Sequence, residues 1–327
     1  MLPLLFALLL EAPIPAAPLR LTSTAFGQPV TIEVRDLPEP AAREAIQQAL
    51  SEVSEVERLA SDGLAALNAA AGQAPQAVDR RLFDLLTRAQ SFCVWSDGSH
   101  GPLGRDLYTA WGLRPAPGTT PGTEPPPLER IEQTAELTAC GRLTLDPQGG
   151  TAALAAGSGL ELMGFAEGAA VDRAVEILRR RKAGNGFVRL GAVQRGFGPG
   201  PAGRGWPVAL PPVAGLEEPP AELYLRDGSL AIASQSDHPL QGAGGASYLV
   251  QRTGKPARGV VMTAAVTELA MDAQGLATTM LINGPREGQL RLGSLIPKPS
   301  VLWFVGSGTG PPLVVGYRWS EVARPRK

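Results

Sequence analysis

The chain has 327 residues, with 30 Lys plus Arg against 31 Asp plus Glu, 44% hydrophobic and 5% aromatic residues. So much apolar sequence buries a large core, as one big domain or two small ones, and excludes a chain disordered throughout. A charge balance this close to zero sets up no field to attract phosphate backbones or anionic lipid, so nucleic acid is not an expected partner.

From the N-terminus, Met1 to Leu10 is an apolar run broken only by Pro3, followed by small and proline residues from Ala12 to Pro18 ahead of the first positive charge, Arg20. This pattern predicts a secretory signal over residues 1–19 with a small-residue site at Pro15-Ala16-Ala17, although the basic start is missing. The run is too short to span a bilayer comfortably, and no Cys follows it to carry a lipid anchor. The expectation is a periplasmic or secreted product without a stable membrane span. Residues 20–327 are expected to form one domain.

Leu21 to Val34 contains two short β-like runs around Gly27, and the loop Asp36-Leu37-Pro38-Glu39-Pro40 sets up a helix to about Ala60. Its apolar positions Ala45, Ile46, Leu50, Val53, Val56 and Leu59 recur at helical spacing. A second helix is predicted over Asp79 to Val94. Arg114 to Pro127, rich in Pro, Gly and Thr, reads as a surface loop. Arg142 to Leu145 reads as a strand, Phe165 to Lys182 as a long helix with Gly184 as its stop, and Phe187 to Leu190 as a strand leading through Gly191 to a glycine-rich loop at 196–205. Strands follow at Trp206 to Leu210, Leu223 to Leu225, Leu230 to Ala233 and Val260 to Val266. A helix is predicted at Asp272 to Ile282, then strands at Val301 to Val305 and Leu313 to Val315. The fold class is α+β, mixed sheets packed with helices.

Generic motifs carry little. Gly196-Phe-Gly-Pro-Gly200 lacks the Gly-Lys-Ser/Thr of a phosphate loop, and its Pro removes a donor that phosphates need. Gly306-Ser-Gly-Thr-Gly310 reads as a turn. There is no G-x-S-x-G elbow, and His100 and His238 are the only imidazoles available to a serine triad. Cys93 and Cys140 stand 47 positions apart with no C-x-x-C spacing, which argues against zinc. They form either one disulfide, if the chain is exported, or two buried free thiols; the ordinary burial of cysteine favours the thiols.

Four segments in a fixed order carry more. They are Ala66-Leu67-Asn68-Ala69-Ala70-Ala71-Gly72; Ser96-Asp97-Gly98 with Trp111-Gly112-Leu113; Leu162 to Ala174; and Arg252-Thr253-Gly254-Lys255-Pro256 with Leu276-Ala277-Thr278 and Gly284-Pro285. Together they resemble the ApbE-type flavin transferases, the FAD:protein FMN transferases, over about residues 22–320. The resemblance implies a Mg²⁺-dependent reaction in which FAD is the substrate, FMN is attached through its phosphate to a Thr or Ser of an exported acceptor protein, and AMP leaves. It implies flavin contacts at Glu161, Gly164, Glu167, Gly168, Arg252 and Gly254, and a metal held by Thr278 and by Gln274, which stands where the family has Asp.

Several positions depart from the family pattern. An amide at Gln274 brings no charge to a cation normally held through carboxylates, so the metal site is expected to be weakened or lost. Asp272 does not replace it, since at 100° per residue it lies about 120° away from Thr278, and it reads as a solvated residue. Ser247 stands at the family's His, Val250 at its Asp, Gly191-Ala192-Val193 at its Gly-Gly-Asp, Phe26-Gly27-Gln28 at its Met-Gly-Thr, and Ser234-Gln235-Ser236 at its Thr-Ser-Gly. Gly98-Ser99-His100-Gly101-Pro102-Leu103 replaces Gly-Ala-Phe-Asp-Pro-Thr. No early Tyr is present to stack on a flavin. His100 is a candidate replacement base, against the plainer expectation of a solvated loop histidine. Asp172 is expected to support structure. Two readings follow: a divergent flavin transferase, or a non-catalytic flavin- or protein-binding descendant.

Overall fold

Eight strands pair in the order in which they occur along the chain, every neighbouring pair antiparallel: β1 (Leu19–Ala25), β2 (Gln28–Val34), β3 (Gly186–Leu190), β4 (Val193–Phe197), β5 (Gly228–Ser234), β6 (Val260–Thr267), β7 (Ser300–Val305) and β8 (Leu313–Tyr317). The computed structural model describes residues 17–113, 124–216, 222–307 and 310–324. The expected signal segment falls almost wholly outside the described residues, as does most of the expected loop at 114–127. Among the described residues, no helix is long and apolar enough to cross a membrane.

The β1–β2 hairpin closes through Phe26 and Gly27, with φ of 54° and 68°. Two successive positive φ values match the right-handed twist of a hairpin, and Gly27 is the residue type that tolerates this best. Strand β4 was missed by the sequence reading, which ran a glycine-rich loop from Gly196. The loop begins later, because Gly196 sits inside the ladder with its α-carbon against the Trp206 side chain.

Four long helices pack around the sheet: α1 (Glu39–Arg58), α2 (Arg80–Trp95), α3 (Ala166–Arg180) and α4 (Ala270–Leu292). Helix α1 turns Ala42, Ala45, Ile46, Ala49, Val53 and Val56 inward, the predicted stripe. Helix α2 starts at Asp79, whose carboxylate accepts from the Arg81 amide at 2.8 Å. Helix α4 lies across β5 and β6 and against α3. It is one helix in two pieces, because Gly284 (φ 69°, ψ 175°) breaks it ahead of Pro285, which starts the second piece.

The opposite sheet face is covered by a three-stranded sheet of Trp206–Val208, Glu222–Leu225 and Ala323–Arg324, through a second core holding Trp206, Leu230, Met262 and Phe304. Strand β6 is therefore buried on both sides, which explains its nearly unbroken apolar run.

A third small sheet, Gln76–Ala77, Thr151–Leu154 and Leu143–Asp146, sits beside α2. Cys93 of α2 and Cys140 are disulfide-bonded, not free thiols as the sequence reading favoured. Spacing alone left the pairing open, because only the fold brings the end of α2 beside the turn before Leu143. Gln90 reinforces that junction, donating to the Cys140 and Leu143 carbonyls at 3.1 and 2.5 Å.

Candidate functional site

The chain entering α3 is held by side chains of the quoted motifs. Asn68 clasps Leu160 from both sides: its amide donates to the Leu160 carbonyl at 3.2 Å and its carbonyl accepts from the Leu160 amide at 2.6 Å. The Glu161 amide donates to the Pro102 carbonyl at 2.7 Å. Gly164 then turns the chain at φ 86°, a conformation favouring glycine. A β-carbon at Gly164 would also meet His100 Nε2 and Thr278 Oγ1, each at 2.9 Å.

Gly168 lets α3 cross the start of α4 at close range, since a β-carbon there would lie 2.5 Å from the Met271 α-carbon. At that crossing Gln274 bridges the helices. Its Oε1 accepts from the Gly168 amide at 2.8 Å, and its Nε2 donates to Glu167 Oε2 at 2.6 Å. Both partners demand the same amide orientation, because a backbone N–H must face oxygen and a carboxylate must face NH₂. Asp172 fixes the same crossing: its carboxylate accepts from the Ala270 and Met271 amides at 2.8 and 3.0 Å and pairs with buried Arg195. This is the structural role expected for it.

Two cavities meet over this crossing and share Met163, Glu167 and His238. One, of about 390 Å³, is lined among others by Phe26, Glu57, Leu113, Glu161 and Leu162. The other, of about 210 Å³, reaches Gly164, Asp237, Tyr248, Gln274 and Thr278. The structure thus gathers Glu161, Gly164, Glu167, Gln274 and Thr278 into one cleft, with Gly168 in the helix contact behind it. Arg252 and Gly254 line neither cavity. The Arg252 guanidinium reaches toward the Asp97 carbonyl at 3.4 Å and Glu287 at 3.6 Å, while Gly254 packs on Ile131 and accepts from the Trp111 indole at 3.0 Å.

His100 is not the solvated loop residue expected. It is 1% exposed, stacked on Phe165 at 4.7 Å between centroids, and neither ring nitrogen has a hydrogen-bond partner. Burial lowers its pKa to about 3. It occupies the place of the family's Phe and behaves as one, filling core beneath Gly164. Asp272 is likewise not solvated: it forms a two-pronged pair with Arg88, both contacts at 2.6 Å.

The sequence reading singled out none of Asp237, His238 or Tyr248 as a site residue, yet all three line the cleft. The segment is pinned by Ser247. Its hydroxyl donates to the Gln235 carbonyl at 2.6 Å and accepts from the His238 amide at 3.0 Å, so the serine at the family's His position anchors another histidine. Tyr248 is buried and donates to Asp237 Oδ2 at 2.7 Å, while Ser234 donates its amide to the same oxygen at 2.8 Å. Burial raises the Tyr248 pKa well above its usual value. Phe26 was equally missed as a wall; only Tyr was sought there. Position in the family pattern pointed at Phe26-Gly27-Gln28, and that signal was sufficient to find it.

These residues do not fit magnesium. The cation needs charged oxygens converging on one point, and no group of three or more His, Cys, Asp or Glu is so arranged among the described residues. Gln274 turns its NH₂ toward the Glu167 carboxylate and its oxygen toward the Gly168 amide. Asp237 is engaged with Tyr248 and the Ser234 amide.

An antiparallel α+β scaffold with a cleft at a two-helix crossing, walled by the segments named above, defines the class of flavin transferase folds. The chain belongs to the ApbE family, whose model matches residues 26–297. It is similar in structure to the ApbE protein from Thermotoga maritima, at 21% identity over 93% of this chain and 98% of that one with a TM-score of 0.79. It is similar also to the flavin transferase ApbE from Vibrio cholerae, at 20% identity over 94% and 100% with a TM-score of 0.78. The apo form of flavinyl transferase ApbE from Pseudomonas stutzeri matches at 17% identity over 95% and 98%, with a TM-score of 0.74. At these identities the likeness establishes the fold. No curated protein matches the chain.

Proposed function

We propose that the chain binds a flavin in the cleft beside the α3–α4 crossing and does not carry out the Mg²⁺-dependent transfer of FMN from FAD. Family membership supports the flavin. The observation that carries the rest is the Gln274 amide, held between Gly168 and Glu167 where the resemblance requires a metal carboxylate. Splitting a pyrophosphate without a cation forgoes the charge neutralisation on which such reactions depend. The Cys93–Cys140 disulfide and the apolar start of the chain support export to a periplasmic or secreted setting.

A second reading keeps the transferase active toward a Thr or Ser of an exported acceptor protein. It is favoured by His238, which lines both cavities and is anchored by the serine at the family's His position. Mixing the protein with FAD, Mg²⁺ and a Thr-containing acceptor peptide separates the two. A change in flavin fluorescence with no gain of FMN mass on the peptide supports the binding reading. An FMN adduct abolished by His238→Ala establishes the transferase.

A further inference from the structure

Neither Cys93 nor Cys140 lines the cleft, yet contacts run from each of them to one point on its wall. Cys93 is buried at the end of α2, and the loop after the helix folds back onto it. Its carbonyl accepts from the Gly98 amide at 2.8 Å, and the Ser96 hydroxyl accepts from the His100 amide at 3.2 Å. Gly101 packs so closely that a β-carbon there would lie 2.5 Å from the Cys93 β-carbon and 2.9 Å from its sulfur. The next carbonyl along the loop, that of Pro102, accepts from the Glu161 amide at 2.7 Å.

Cys140 reaches the same point from the other side. It opens the turn Cys140–Arg142, and Arg142 holds the chain that runs into Glu161. The Arg142 carbonyl accepts from the Ala155 amide at 2.8 Å, and its guanidinium donates to the Ala156 carbonyl at 2.6 Å and the Ser158 hydroxyl at 2.5 Å. Leu160, clasped by Asn68, follows, and Glu161, Leu162, Met163 and Gly164 then line the cavities. The disulfide thus closes a ring of contacts whose far side is the hydrogen bond between Glu161 and Pro102.

Resting on the flavin-binding reading above, we propose that the Cys93–Cys140 disulfide is a redox-sensitive brace of the cleft. Oxidised, it holds the loop at 98–102 against the turn at 140–142 and fixes the wall from Glu161 to Gly164. Reduced by a dithiol, it releases that wall and weakens flavin binding. One thiolate of the dithiol attacks Cys140, which is partly exposed where Cys93 is buried, and Cys93 leaves as a thiolate. The second thiol then displaces Cys140 from the mixed disulfide. The protein gains two electrons and two protons, and the dithiol, losing both, becomes a disulfide. A crosslink that acts only on the unfolded chain shifts the folding equilibrium and leaves the affinity of the folded cleft unchanged, whereas a brace alters the folded state itself.

The test compares the oxidised full chain with the same chain reduced by dithiothreitol, under conditions where circular dichroism shows both folded. FMN affinity, followed by flavin fluorescence, should fall at least roughly tenfold on reduction, as when the binding-competent form drops to a tenth of the population. Cys140→Ser, which keeps the buried Cys93 thiol, should bind FMN as weakly as the reduced chain and no longer respond to dithiothreitol. In amide NMR spectra without ligand, reduction should shift Glu161 to Gly164 as well as Gly98 to Gly101, and leave the β1–β2 hairpin in place. Gly101→Ala, which presses a methyl group onto Cys93 in a chain that stays crosslinked, should also weaken FMN binding and move the Glu161 amide, and it serves if the reduced chain unfolds. FMN affinity unchanged by reduction overturns the brace, as do amide shifts confined to the neighbours of the two cysteines, or a Gly101→Ala chain with the Glu161 amide unmoved. An oxidised chain that binds no FMN overturns the flavin reading instead, and the amide shifts then decide on the brace by themselves.

Discussion

Gln274 donates its amide nitrogen to Glu167 at 2.6 Å while its oxygen accepts from the Gly168 amide at 2.8 Å. A neutral side chain thereby joins two helices at a point where a second carboxylate would face the first. Gln274→Glu keeps the shape and one acceptor but sets two carboxylates in contact. It should lose about 1–3 kcal/mol at neutral pH, the scale of a buried polar group left without its partner. Because the crowded pair binds a proton more tightly folded than unfolded, the loss should shrink as pH falls. Mg²⁺ should reduce it as well. Denaturant midpoints of the two proteins against pH and Mg²⁺ check this.

His100 titrates near 6.5 when unfolded and at about 3 when folded, held down by burial. Above 6.5 its titration contributes nothing, since both states leave it neutral. Between 6.5 and 3 the unfolded chain takes up a proton that the folded chain refuses, so stability falls with pH by up to about 1.4 kcal/mol per unit. Below 3 the folded state protonates too and the loss levels off. His100→Phe removes this dependence and, by deleting two unpartnered nitrogens, should stabilise by about 1–3 kcal/mol even at pH 7. The stability difference between variant and wild type should widen on acidification, measured by denaturation at a series of pH values.

Cys93 and Cys140 close a loop across a separation of 47 residues. In the chain-entropy view such a crosslink stabilises by about 4 kcal/mol. Reduction, or the paired change Cys93→Ala with Cys140→Ala, should lower the denaturant midpoint accordingly, and thiol titration of the unreduced, unfolded protein should find no free thiol.

Two aspartates near the start of α4 have opposite expected sensitivities. Asp172→Ala uncaps Ala270 and Met271 and strands Arg195, whose side chain is only 6% exposed, so a loss of about 3–5 kcal/mol is expected. Asp272→Ala removes a pair whose Arg88 is half exposed and should cost under about 1 kcal/mol. Equal effects in denaturation would contradict this division.

Much of the framework was legible in the sequence because it rests on local periodicity. The stripe of α1 and the run of β6 follow from spacing, whereas the second piece of α4 beyond Gly284 was not expected from the helix read over Asp272 to Ile282. The family pattern found Glu161, Glu167, Gln274 and Thr278, which the fold does bring together. It also nominated Arg252 and Gly254, which lie instead beside Asp97, Glu287 and Ile131, because nearness along a motif does not fix the direction of a side chain. His100 was misread for a related reason. Gly101 beside it suggested an exposed loop, whereas that loop tucks under Phe165 and Gly164 through contacts distant in sequence. Asp237, His238 and Tyr248 carried no motif of their own; their place in the cleft depends on the anchoring of Ser247 to Gln235, a tertiary relationship with no periodic trace.

The account turns on the claim that the α3–α4 crossing is not a magnesium site, and thermal melting of the wild-type protein in EDTA and in millimolar Mg²⁺ tests it directly. A ligand that binds only the folded state raises stability as its concentration passes the dissociation constant. The melting temperature should be the same in both conditions. A rise of several degrees that saturates with Mg²⁺ and disappears in Gln274→Ala would contradict the account and restore the transferase reading.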